Sequence, residues 1–226
     1  MDATLTRNVD RRSSAEALSP LAGAVAVVLF LLGALFHDVV GDTPGSDAPA
    51  SEFANYYQEE DGSIWLSSVF IFVGLAFFLW FVGTLRAALQ DVEGGVGRLA
   101  GTAYAGGVAT AVLIFAGFGT QVSAAILVSE RDVAIDPEAA VGFWFVGDGI
   151  FVASFYAAAV LLAATGLLLL RSRVLVPRWF AWVTVVIAMV LLVPWINWIA
   201  FFAFAIWVLV TSVFLWRATG RFLEHS

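Results

Sequence analysis

The sequence contains no cysteine. That excludes disulfides, iron–sulfur clusters, thiolate zinc sites and cysteine nucleophiles together. It also contains no lysine; all 11 basic residues are arginine. Its 2 histidines, His37 and His225, both lie outside the long apolar runs, which excludes a bis-histidine haem between membrane helices. Charge itself is scarce. Only 13% of the 226 residues are Asp, Glu, Lys or Arg, where soluble domains carry about 25%. No HExxH zinc motif, Gly-x-Ser-x-Gly nucleophile elbow, phosphate loop or twelve-residue calcium loop occurs.

What is present is apolar. Hydrophobic residues make up 61% of the chain, and its mean hydropathy is +0.92. A soluble protein of this composition would expose large sticky patches, whereas lipid tolerates such a surface. A bilayer core of about 30 Å needs roughly 20 apolar residues in a helix. The spacing predicts spans at about 21–36, 64–85, 99–128 and 139–170. One further apolar region runs from Trp179 to Trp216. As a single helix it would be about 57 Å long, nearly twice the core. Pro194 and Asn197 fall inside it, and both favour a turn. A hairpin is predicted, 179–193 followed by 198–216, with a short fifth span. The fold class is therefore all-α, a bundle of six transmembrane helices over 20–217 with polar tails at 1–19 and 218–226. Runs such as Ala24 to Phe30 lack the alternation of barrel strands.

The net charge of -7 hides an asymmetry. Arg7, Arg11, Arg12, Arg86, Arg98, Arg171, Arg173, Arg178, Arg217 and Arg221 all fall on one side of a six-span chain, which makes that side cytoplasmic and places both termini there. The other side keeps Arg131 alone, with seven acids between Asp38 and Asp61. Tryptophans form two belts: Trp65, Trp144, Trp195 and Trp198 outside, and Trp80, Trp179, Trp182 and Trp216 inside, with Trp207 mid-span. The bulky Ala34-Leu35-Phe36-His37 offers no cleavage site, so the first span is read as a retained anchor.

The 37–62 loop is the largest piece outside the spans. Gly41 to Ala50 is rich in turn residues. Ser51 then reads as an N-cap of a short helix over 52–60, with Phe53, Tyr56 and Tyr57 on one face. That face is expected to rest on lipid, the sharper alternative being a lid or docking face. In the third span, Gly97, Gly101, Ala105 and Ala109 form a stripe of small residues at spacing four. Helix packing within the bundle is the expected use, and a homodimer seam the alternative.

Asp148 is the one ionisable residue well inside an apolar run, flanked by Gly147 and Gly149. Acids within membrane helices are costly and mark function by default. Gln121, with Thr120, is its expected partner, because it lies at a comparable distance from the outer end of its own span. Two roles stay open: a structural Asp–Gln hydrogen bond between helices, or an acid that handles protons or cations. His37, beside Asp38, is read as an interfacial histidine, with pH sensing as the alternative. Intramembrane aspartyl proteases are excluded: Phe145 replaces the first glycine of Gly-x-Gly-Asp, and no second membrane Asp exists.

Several segments carry a family resemblance: Tyr56-Tyr57, Phe78 to Arg86, Glu93 to Arg98, Pro177 to Trp182 and Trp207 to Val213. In their order along the chain they resemble a family of six-span bacterial membrane proteins, common in high-GC bacteria and known only as a domain of unknown function. The resemblance implies six helices and a plasma-membrane location, and it carries over no functional residues. No catalytic, metal or cofactor residues are expected. The expected partners are the lipid bilayer and another membrane protein or a second copy, without nucleic acid. The expected function is a non-enzymatic membrane scaffold or modulator; the alternative is a small transporter or channel using Asp148 and Gln121. A polar cavity reaching Asp148 favours the second, a sealed Asp148–Gln121 contact the first.

Overall fold

A computed structural model describes residues 19–40, 43–59, 61–131, 134–171 and 176–223. The predicted N-terminal tail, up to residue 18, lies outside the described residues. Among them, every regular element is helical. A 3-10 turn, Ser19–Leu21, leads into α1 (Ala22–Leu35), which ends in a π turn, Phe36–Val40. Then follow α2 (Ala50–Glu59), α3 (Asp61–Glu93), α4 (Arg98–Arg131), α5 (Pro137–Arg171), α6 (Arg178–Leu191) and α7 (Asn197–Leu223).

Five segments are long and apolar enough to cross a membrane: Ser19–Asp38, Gly62–Glu93, Arg98–Glu130, Pro137–Arg171 and Asn197–Ala218. This is the pattern of a multi-pass membrane protein. The predicted hairpin forms. Leu192 and Val193 close the end of α6 by donating to Met189 O and Val190 O, and α7 starts at Asn197. However, α6 has only 14 residues, about 21 Å of helix.

Neighbouring helices run antiparallel. Ser19 Oγ lies 2.7 Å from Thr84 Oγ1, and Ser67 Oγ donates to Gly33 O at 2.9 Å, which pairs α1 with α3 in opposite directions. In α6 and α7, Trp207 Nε1 donates to Thr184 Oγ1 at 2.8 Å. Trp207, the mid-span exception among the tryptophans, is thus a buried pin of the hairpin. Alternation gathers Arg86, Arg98, Arg171, Arg178 and Arg217 at one end of the bundle. Between α3 and α4 the chain turns through Gly94, Gly95 and Gly97, all at positive φ, a conformation that costs glycine little. The Glu93 carboxylate then accepts from the N–H groups of Leu99 and Ala100 at 3.0 and 2.8 Å, capping α4.

Two expectations change. First, Gly97 belongs to this turn and not to the helix. A Cβ on Gly101 would meet nothing within 4 Å, and Ala105 and Ala109 are exposed. The helix-packing stripe lies on another face of α4. A Cβ on Gly106 would meet Leu161 N at 2.6 Å, and one on Gly107 would meet Val82 Cγ1 at 2.6 Å. Second, the aromatic face of α2 does not rest on lipid. Phe53, Tyr56 and Tyr57 are buried against Val122, Ala125, Ile135 and Ala140 of the bundle. The helix is amphipathic, but four buried apolar contacts on α4, α5 and their connection cover that face. Burial without a partner also pushes the Tyr57 phenol up from its ordinary pKa, so it stays neutral.

Candidate functional site

Three local features build a cavity at the end of the bundle opposite the arginines. The first is the π turn that closes α1. Its wider winding, common at functional sites, carries His37 and Asp38. The second is the crossing of α4 and α5. A Cβ on Gly117 would stand 2.7 Å from Gly147 O, and one on Gly147 would stand 2.8 Å from Gly117 O. Only glycine lets two backbones approach this closely. One turn beyond Gly117 comes Gln121; directly after Gly147 comes Asp148. Each lies about 15 Å along its helix from that end, so the crossing brings them to one level. The third feature is the first turns of α7, which supply Trp198, Phe201 and Phe202.

His37, Asp38, Gln121 and Asp148 line one cavity of about 230 Å³. Its remaining walls are mostly aromatic, among them Phe118, Trp144 and Phe151. Among the described residues no arginine lines it. His37 is held from two sides: its Nδ1 shares a 3.0 Å hydrogen bond with the Tyr56 hydroxyl, and its ring stacks on Trp144 at 5.8 Å and 24°. Through Tyr56, the buried face of α2 closes over this end of the bundle.

The sequence placed Asp148, Gln121 and Thr120 together; the structure brings two of them to the cavity. Thr120 turns away and donates to Ala116 O at 2.9 Å in its own helix. Among the described residues no hydrogen bond joins Asp148 to Gln121, although both line the same cavity. Gln121 is 8% exposed, lines the cavity and has no hydrogen-bond partner among the described residues. Sequence reasoning set His37 at a lipid interface and Trp144 in an aromatic belt. The one local signal for their role was the His37-Asp38 pair directly after an apolar run.

The cavity can hold a small molecule. Its chemistry is two carboxylates, an amide and an imidazole set among ring faces. Among the described residues, no group of three or more histidine, aspartate or glutamate side chains is placed to hold a metal ion. No family model, no curated protein and no solved structure matches the chain.

Proposed function

We propose that the chain is a plasma-membrane protein of six membrane helices, with both termini in the cytoplasm, that binds a small molecule in the Asp148 cavity as a small transporter would. The observation that carries this reading is that Gln121 and Asp148 line one cavity of about 230 Å³, with no hydrogen bond between them among the described residues. The scaffold reading needs these two side chains to satisfy each other across α4 and α5, and they are not bonded. Orientation rests on the arginines gathered at the end opposite the cavity, and on the acids of the 37–62 segment at the cavity end. The sixth crossing is assigned to α6, because it puts Arg217 on the same side as Arg178. No catalytic role is assigned.

Two experiments test it. The absence of native cysteine makes single-cysteine labelling clean. With a membrane-impermeant maleimide, Asp47→Cys should label in intact cells, and Val96→Cys only after lysis. The reverse pattern overturns the orientation. A cysteine appended after Ser226 should also label only after lysis; labelling in intact cells removes the sixth crossing. Native mass spectrometry of gently extracted protein should find a bound small molecule that is lost in Asp148→Asn. A stoichiometric second polypeptide, with no small molecule, restores the scaffold reading.

A further inference from the structure

The chemistry of the cavity narrows what it binds. We infer that the ligand is a small organic ammonium ion, held by the carboxylates of Asp148 and Asp38 and by the surrounding aromatic rings; this rests on the ligand-binding reading above.

The argument proceeds by charge, then by wall, then by size. Among the described residues, every ionisable group on the cavity other than His37 is a carboxylate. An anion entering it would meet Asp38 and Asp148 with no arginine to offset them. A neutral apolar guest would displace water from Asp148 and Gln121 and leave both without partners, which is costly. Inorganic cations need several oxygen or nitrogen ligands in close array, and no group of three or more His, Asp or Glu side chains is placed to supply one among the described residues. An organic ammonium ion meets each condition. Its charge faces carboxylate, its N–H or hydroxyl groups meet the Gln121 amide oxygen, and its carbon shell lies against ring faces.

The rings are packed for this. Phe118 and Phe151 meet edge to face at 5.7 Å, and Phe151 lies 5.6 Å from Trp198. Trp144 stands on the other side, stacked on His37. Aromatic faces attract cations through their quadrupoles, most strongly where water is excluded, and Trp is the best of them. A volume of about 230 Å³ is below the 300–1,000 Å³ of drug-sized sites, so the guest is small. The approach is acidic too. Glu52 and Glu59 line a separate surface depression together with Tyr56, whose hydroxyl is hydrogen-bonded to His37 of the cavity. Such a surface raises the local concentration of cations.

The test uses the purified full chain in lipid nanodiscs. Thermal unfolding is followed while choline, tetraethylammonium or phenylethylammonium is titrated, with sodium chloride as the ionic-strength control. The uncharged tert-butyl analogue of choline is titrated in parallel. At least one ammonium ion should give a saturable rise in Tm, binding about tenfold or more tightly than the neutral analogue. Asp148→Asn should weaken that binding about tenfold with the ligand-free Tm unchanged, since among the described residues Asp148 makes no hydrogen bond to lose. Trp144→Leu should weaken it as well, which gives a second reading if the first variant fails to fold. Equal binding of the neutral analogue overturns the cation class and leaves the ligand cavity standing. No binding by any ammonium ion overturns the class as well. Reaction of Gln121→Cys with a small water-soluble thiol reagent then decides the rest. A reactive cysteine keeps the cavity as a ligand site for another class; an unreactive one means it is closed, and both readings fall.

Discussion

Gly117 and Gly147 sit backbone to backbone, each with its α-hydrogen side turned to the other's carbonyl, so that neither position has room for a Cβ. This contact sets the distance between α4 and α5 and the level at which Gln121 and Asp148 meet. Gly117→Ala or Gly147→Ala must push the helices apart, and overpacking of this kind costs about 1–3 kcal/mol. Gly149→Ala, where a Cβ meets nothing within 4 Å, should be neutral or stabilise by up to about 1 kcal/mol. Thermal unfolding of the three variants in one detergent checks this; equal Tm values would show that the crossing is not tight.

Tyr56 and Tyr57 are adjacent and both buried, yet their hydroxyls differ. Tyr56 shares a hydrogen bond with His37, whereas the Tyr57 hydroxyl has no partner. Tyr57→Phe should therefore leave stability unchanged or raise it, because removing an unsatisfied buried hydroxyl removes its desolvation cost. Tyr56→Phe should lower stability by about 1 kcal/mol and speed hydrogen exchange in α2. A loss of stability in Tyr57→Phe would reveal a partner for its hydroxyl.

A buried polar contact joins α6 to α7, Trp207 Nε1 to Thr184 Oγ1. Thr184→Val preserves shape and strands a buried indole N–H, at a cost of about 1–3 kcal/mol. Thr184→Ser keeps the acceptor and should lose far less. Urea unfolding followed by tryptophan fluorescence separates the two; the reverse order would deny the hydrogen bond its role.

Glu93 caps α4 from the end of α3, so Glu93→Ala should speed amide exchange at Leu99 and Ala100 and leave the cavity untouched. Glu93→Gln keeps one acceptor oxygen and should give an intermediate rate. Unchanged exchange in both variants would mean that the cap is not populated.

Helix positions were legible in the sequence because apolar runs of span length are a strong signal, and Pro194 with Asn197 marked the hairpin. The face each helix presents was less so. In α4, glycines and alanines recur in several overlapping stripes, and periodicity alone chose the one beginning at Gly97. The partner helix decides the face, and that choice fell on Gly106, Gly107 and Gly117. The same limit applies to the site. Asp148 stood out as a lone acid in an apolar run, but His37 is 111 positions away (148 − 37 = 111), and only the antiparallel packing of α1 on its neighbours brings it near. Thr120 looked equivalent to Gln121 by adjacency. Its hydroxyl instead bonds back to Ala116 O of its own helix, and it does not line the cavity.

The length of α6 reaches beyond the protein. A helix of 14 residues meets a hydrocarbon core of about 30 Å some 9 Å too short. If α6 crosses, the leaflets must dimple beside it or its flanking tryptophans must sink. Its outer face, with Trp182, Val186 and Met189 exposed, would then sit in compressed lipid, and acyl-chain length would act on this chain as a ligand does, favouring thin bilayers and drawing copies together in thick ones.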